Sequence, residues 1–344
     1  MSPSVKQVLN TDTTRLILVT GASGFVGSAV ALELLNAGHS VRLPLRSQSQ
    51  IDAWAGVYGK KYGDRLQLSL LQGAITTDGV FDESLQGVDG VVHTASPADL
   101  QIKTSAEDDI LKPAIEGALS ILKSAARVAT VKSVALTSSF VAYVSPLELA
   151  PGLVVTEDRW NPTTYEEAAA FPDSPLRGAL VYAASKALAE RAAWDFVERE
   201  KPSFTFATVA PSIVQGHNPV PGAKSVAELR STSHLMYKAL WDKEQLPQPG
   251  TFEDYHTFIG VRDVARAHAR AVTSHADIAN GKRYLLAIPD TSMAEVAQAM
   301  ANRVPELKSH LPPISKEDFR TAPFSWVANK APKDFDFTCK SLPA

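Results

Sequence analysis

The run Thr20-Gly21-Ala22-Ser23-Gly24-Phe25-Val26-Gly27 constrains this chain more than any other stretch. It follows the apolar segment Leu16-Ile17-Leu18-Val19 and opens an apolar-periodic stretch over 29–35. That order reads as strand, glycine turn, helix. Gly21 permits the tight turn, Gly24 lets the backbone approach a diphosphate, and Gly27 lets the helix pack close to a sheet. A diphosphate would sit on the amino end of the helix, where unpaired N–H groups and the macrodipole favour negative charge. Gly21, Ser23, Gly24, Phe25, Val26 and Gly27 are therefore the candidates to hold a dinucleotide. Glycines also punctuate ordinary strand-to-helix turns, so the triplet takes its weight from its place after the first strand.

With 344 residues the chain can bury a large core, as one α/β domain carrying a smaller lobe. A net charge of -3 gives no electrostatic case for nucleic acid or an anionic membrane. The single cysteine, Cys339, excludes an internal disulfide and a cysteine-built metal site, and reads as an incidental thiol. The eight histidines are scattered, His256 and His268 included, so no metal is expected. No apolar run reaches the length of a membrane span. Residues 1–14 are polar, lack the apolar core of a signal peptide, and read as a loose tail. A cytoplasmic protein, monomeric or homodimeric, is the expectation.

Strand and helix patterns alternate through the first two hundred residues. Val41-Arg42-Leu43-Pro44-Leu45, residues 66–70, Gly90-Val91-Val92-His93, residues 131–137 and residues 204–209 read as further strands, with helices over 105–127 and 183–200. Such alternation predicts βαβ units and a doubly wound, Rossmann-type parallel sheet. Residues 211–225 hold three prolines and two glycines, which suits a loop crossing a cleft. A helix over 227–241, a strand at Phe258-Ile259-Gly260-Val261 leading into another helix, and a strand at Tyr284-Leu285-Leu286-Ala287 follow. The expected division is a dinucleotide-binding domain over 15–210, with 258–275 returning to it, and a substrate lobe from 211–257 and 276–344.

Tyr182-Ala183-Ala184-Ser185-Lys186 places Tyr182 and Lys186 at i and i+4, on one helix face. A tyrosine beside an ammonium can act as an acid–base group, because the positive charge favours phenolate and draws the pKa down. The spacing is common on helices. Here it follows a glycine turn and a fifth strand ending in Thr137-Ser138-Ser139, and a hydroxyl at such a strand end lies where open α/β sheets bind ligands. A strand-end hydroxyl that merely satisfies backbone fits Ser138 better than Ser139.

The G-x-x-G-x-x-G spacing resembles the extended short-chain dehydrogenase/reductases, and the resemblance runs over residues 15–305. It is carried by Val92-His93-Thr94-Ala95-Ser96-Pro97, Lys112-Pro113-Ala114-Ile115-Glu116-Gly117, Ala135-Leu136-Thr137-Ser138-Ser139, Trp160-Asn161-Pro162, the Tyr182 to Lys186 motif with Ala189-Glu190 and Ala193-Trp194, and Val261-Arg262-Asp263-Val264-Ala265. The wording is most similar to the dihydroflavonol reductase and cinnamoyl-CoA reductase branch, especially its fungal-type carbonyl reductases. The resemblance implies that Ser139 polarises a carbonyl, Tyr182 donates the proton, and Lys186 holds the nicotinamide ribose and tunes Tyr182. It places Thr94, Ala95 and Ser96 beneath the cofactor, with Thr137 beside them, and Pro211, Ile213 and Val214 at the nicotinamide amide. Arg262-Asp263 reads as a structural ion pair.

No acid appears between Val41 and Ile51 to bond a ribose 2′-hydroxyl, and the second strand runs into Arg46-Ser47-Gln48-Ser49. Arginine offers charge and a bidentate fork to a 2′-phosphate, so the expected cofactor is NADPH, clamped by Arg46 and Ser47. The chain departs from the family pattern at Gln72-Gly73-Ala74-Ile75, which lacks a carboxylate for adenine and leaves the backbone near Ile75, and at Ala114, where some relatives supply an asparagine. Gly216-His217 replaces a usual Gly-Pro. The substrate pocket is expected to draw on Pro97, Phe140, Val141, Val181, His217, Met236, Tyr237 and Trp241. That apolar set points to a bulky, hydrophobic ketone or aldehyde, polyketide-type intermediates included. The alternatives are a hydroxysteroid- or sugar-type dehydrogenase or epimerase, and a non-catalytic NADPH sensor. Residues 318–344 match no family pattern.

Overall fold

In a computed structural model, residues 14–96, 102–222, 231–241, 246 and 256–339 are described. Seven strands form the central sheet: β1 Leu16–Thr20, β2 Ser40–Leu45, β3 Leu66–Leu70, β4 Gly90–His93, β5 Ser133–Thr137, β7 Thr205–Pro211 and β10 Lys282–Leu286. Their order is β10-β7-β5-β4-β1-β2-β3, and every pairing is parallel. Parallel strands are covered on both faces, so their sequences read as near-continuous apolar runs. Ile17 and Val19 point into one core with Val30, Leu34, Val264 and Val272, while Leu18 points into the other with Ile121, Leu122 and Phe206.

Helix α1 Phe25–Asn36 follows β1, α2 Gln48–Trp54 follows β2, and α3 Lys112–Ala126 leads to β5. Helix α4 Arg177–Glu200 packs along α3 through small residues, Ala114 and Ala118 meeting Ala189 and Ala193. It begins six residues before the expected start, which sets Tyr182 and Lys186 well inside it. Helix α5 Ser231–Trp241 is shorter than the expected 227–241, the missing residues lying outside those described. Helix α6 Val261–Thr273 returns beneath the sheet.

Two small parallel pairs flank the main sheet: β8 Ile213–Gln215 with β9 Phe258–Gly260, and β6 Val154–Val155 with β11 Ser325–Trp326. The division expected at residue 276 is corrected by β10, which pairs with β7 and extends the central sheet instead of belonging to a separate lobe. For Asp263, expected beside Arg262, an ion pair is found one turn on. Neighbouring helical residues diverge by about 100°, and Asp263 faces Arg266, one turn on, at 3.5 Å. Among the described residues no helix is long and apolar enough to cross a membrane, and no cluster of His, Cys, Asp or Glu could hold a metal.

Candidate active site

Chain connections run to opposite sides of β1, to β2 and to β4, and open a crevice at the carboxyl ends of these strands. The glycine turn forms its floor for steric reasons. Gly21 has φ +73, and a Cβ there would lie 2.6 Å from Thr94 Oγ1. A Cβ on Gly27 would lie 2.4 Å from the Gly21 carbonyl oxygen. Gly24 caps α1 without a side-chain bond, and the first turn of α1 holds no acid. The leading N–H groups of that helix thus face no competing carboxylate of their own turn, and the turn fits a diphosphate. The Phe25 side chain is buried in the core, which leaves its backbone for such a ligand, while Ser23 and Val26 are half-buried.

The ends of β1 and β4 are stitched together. Thr94 Oγ1 donates to the Thr20 carbonyl at 2.7 Å, Ala95 N donates to Thr20 Oγ1 at 3.3 Å, and Thr20 Oγ1 meets His93 Nδ1 at 2.9 Å. Burial, with the Lys186 cation adding to it, holds His93 down to about 3, so the ring is neutral. Trp54 Nε1 bonds the Ala22 carbonyl at 3.3 Å and supports the turn from α2. Neither His93 nor Trp54 stood among the candidate site residues, because each acts across the fold. Arg46 is exposed at the end of β2, and Ser47 caps α2 with its hydroxyl toward Gln50 N. Ile75 packs its side chain at Gly117.

Ser139 is half-buried, and its hydroxyl lies near enough to the Tyr182 phenol to favour its ionisation. Lys186, one turn along α4, donates from Nζ to Ser96 Oγ at 2.7 Å and lies 5.3 Å from the centre of the Tyr182 ring. These residues from β5, α4 and the segment after β4 converge beside the glycine turn. Burial pushes the Tyr182 phenol up to about 12, against the opposing effect of the nearby Ser139 hydroxyl, and pushes Lys186 down to about 8. This corrects the expectation that the phenol would be drawn down: withdrawal from water raises it.

The two adjacent serines separate cleanly. Ser138 is buried and donates to Glu190 Oε2 at 2.5 Å, a carboxylate and not the backbone acceptor expected of it. Glu190 also accepts from Thr208 at 2.7 Å and from Arg283 Nε at 2.7 Å. The Arg283 guanidinium lies between the rings of Trp160, at 3.5 Å, and Tyr143, at 4.0 Å. Thr137, expected at the cofactor, has its hydroxyl 2.7 Å from His268 Nε2, and His268 Nδ1 meets the Val264 carbonyl at 2.8 Å. Burial lowers His268 to about 4.

The expected substrate residues divide. Val181 is fully buried with Ile110, Leu111 and Leu180, because the position beside Tyr182 on a helix points about 100° away from it. Met236 is buried in the main core with Ala239 and Leu240. Phe140 is covered by Phe324 and Trp326. These three are corrected from pocket to core. Val141 and Tyr237 remain half-buried, Tyr237 stacking on Trp241 at 5.9 Å, and His217 is exposed. Of the residues placed at the nicotinamide amide, Ile213 is half-buried while Pro211 and Val214 are buried. Pro97 lies outside the described residues.

The sequence profile of the NAD dependent epimerase/dehydratase family matches residues 17–287. The chain is 32% identical over 313 residues to a ketoreductase of Aspergillus niger, covering 88% of this chain and 86% of that protein. It is 30% identical over 302 residues to the NADPH-dependent methylglyoxal reductase of Saccharomyces cerevisiae, covering 86% and 84%. Among solved structures, the yeast methylglyoxal/isovaleraldehyde reductase complexed with NADPH superposes with a TM-score of 0.81 at 26% identity, covering 95% of this chain and 94% of that one.

Proposed function

This chain belongs to the NAD dependent epimerase/dehydratase family, and from that premise we propose that it is an NADPH-dependent carbonyl reductase, converting a ketone or aldehyde to the alcohol. The observation that carries this reading is the meeting of Ser139, Tyr182 and Lys186 beside the glycine turn. When bound, the reduced nicotinamide supplies the hydride.

Tyr182, held as a neutral phenol by burial, gives its proton to the carbonyl oxygen. Ser139 donates to the same oxygen and steadies its developing charge; losing one such donor typically costs about 10²- to 10³-fold in rate. Lys186, charged at neutral pH, holds the nicotinamide ribose together with Ser96. The backbone from Gly24 to Gly27 receives the diphosphate, and Arg46 with Ser47 receives the 2′-phosphate. Thr94 and Ala95 form the bed beneath the cofactor. The half-buried apolar residues Val141, Ile213 and Tyr237 support a bulky, hydrophobic substrate. Such a wall separates similar shapes by only about 1–3 kcal/mol, so a broad range is expected.

The test is loss of NADPH absorbance with aryl ketones, 1,2-diketones and aldehydes, comparing wild type with Tyr182→Phe. The expected loss in kcat/KM is about 10²- to 10⁴-fold with NADPH affinity retained. Undiminished turnover in the variant overturns the proton-donor role. Tight NADPH binding with no carbonyl consumed by the wild type overturns the reductase reading.

A further inference from the structure

Residues 319–339 carry no recognisable motif, yet they reach the neighbour of the catalytic serine. Trp326 is fixed on three sides. Its strand pairs with β6, the Trp326–Val155 register being held by Val327 N bonding the Val155 carbonyl at 2.9 Å. Its indole Nε1 donates to the Ile288 carbonyl at 3.1 Å. Its ring meets Phe140 edge-on, 6.2 Å between centres at 88°, and Phe324 adds a second ring 6.3 Å from Phe140. Phe140 directly follows Ser139.

The segment is held in turn by its own burial. Ala331 and Phe335 are fully buried, and Lys330 N donates to the Glu157 carboxylate at 3.1 Å. The same carboxylate accepts from Leu285 N at 3.2 Å, which ties the segment to the sheet through β10. On the other side of Ser139, Ser138 is locked by Glu190. Asn161 closes the turn beyond, donating from Nδ2 to the Val141 carbonyl at 2.9 Å. Ser139 itself is half-buried, and the residues on either side of it are the ones held: Ser138 by Glu190 and Phe140 by Trp326.

We propose that Trp326 is a positioning residue for Ser139: by pressing on Phe140 it fixes where the serine hydroxyl points in the cleft. This rests on the reductase reading of Ser139 and Tyr182. Misplacement of a catalytic group by about 1 Å can cost about 10²-fold. Weakening one wall of Phe140 is expected to give a smaller loss, about 10-fold in kcat.

The experiment is a double-mutant cycle on kcat with Trp326→Ala, Ser139→Ala and the pair, at saturating NADPH, with NADPH affinity followed by its fluorescence. Trp326→Ala alone is expected to lower kcat about 10-fold, to leave NADPH affinity within about twofold, and to be rescued largely by Trp326→Phe, which keeps the ring edge. In the Ser139→Ala background the same change is expected to cost little, because the group it positions is gone. Penalties that multiply independently, or a Trp326→Ala enzyme with wild-type kcat, overturn the proposal. If Trp326→Ala does not fold, Phe140→Leu takes its place in the cycle: a loss that vanishes in the Ser139→Ala background supports the proposal, and one that persists there overturns it. A wild type that consumes no carbonyl defeats the reductase reading first, and this outcome is distinct from an active wild type with additive penalties.

Discussion

The two ends of the cleft are built from different materials. At the dinucleotide end the walls are backbone and small side chains: the glycine turn, the stitched ends of β1 and β4, and the short run after β2. Each lies within a few residues of a strand end. The residues proposed for the carbonyl end, Val141, Ile213 and Tyr237, are half-buried side chains from segments far apart in the chain. A dinucleotide has one shape, so a short local arrangement suffices to hold it. A substrate wall is made by long-range packing, and its shape depends on which distant segments arrive there.

That contrast can be broken in order of expected effect. Gly27→Ala is expected to abolish NADPH binding and lower Tm, since its Cβ would sit 2.4 Å from the Gly21 oxygen, whereas Gly24→Ala, with 3.3 Å to the same atom, should fold normally. Calorimetry on the pair decides it, and equal behaviour would mean the turn is more pliant than its geometry. Arg46→Glu should raise KM for NADPH about 10- to 100-fold, the worth of one or two charged hydrogen bonds, while leaving kcat nearly unchanged. An unchanged preference for NADPH over NADH would remove Arg46 from the clamp.

A smaller effect comes from pH. Lys186 lies at about 8, lowered by burial, so its charge is present below that pH and lost above it. Reductive kcat/KM should be level near neutrality and fall about tenfold per unit on the alkaline side of about pH 8. Lys186→Arg, which stays charged, should lose that limb even where its absolute rate is lower. A limb that persists in the arginine variant assigns it to another group.

A separate effect, read on stability and not on activity, also follows from burial. His93 and His268 lie at about 3 and about 4, both lowered by burial from an unfolded value near 6.5. The unfolded chain therefore binds more protons than the folded one below about pH 6.5. Stability should fall by about 1.4 kcal/mol per pH unit per histidine, down to about pH 4 for His268 and about pH 3 for His93. Urea midpoints measured near neutrality and about two pH units lower check this. Coincident midpoints would show that the two rings titrate freely.

What the sequence made readable follows the same contrast. The strands at 66–70 and 90–93, the glycine turn, and the Tyr182–Lys186 face were legible because each is written in one short window with a fixed period. The direction of Val181, Met236 and Phe140 was not, since apolar residues suit a pocket and a core equally and only the arriving neighbours decide. The bond of Ser138 to Glu190 was hidden by a separation of 52 residues, and that of Thr137 to His268 by 131. The Asp263–Arg266 contact was missed for a local reason, residues one turn apart meeting on a helix face where adjacent ones diverge.

The buried carboxylate of Glu190 has a consequence for how the chain is made. Its counter-ion, Arg283, is synthesised 93 residues later. A charge at that depth without its counter-ion costs several kcal/mol, so packing of the earlier half around an ionised Glu190 is disfavoured until Arg283 has been made. The docking of β10 beside β7 is what brings the Arg283 guanidinium to that carboxylate. A nascent chain stalled before residue 283 should remain open to protease, and one released beyond it should become resistant in a single step.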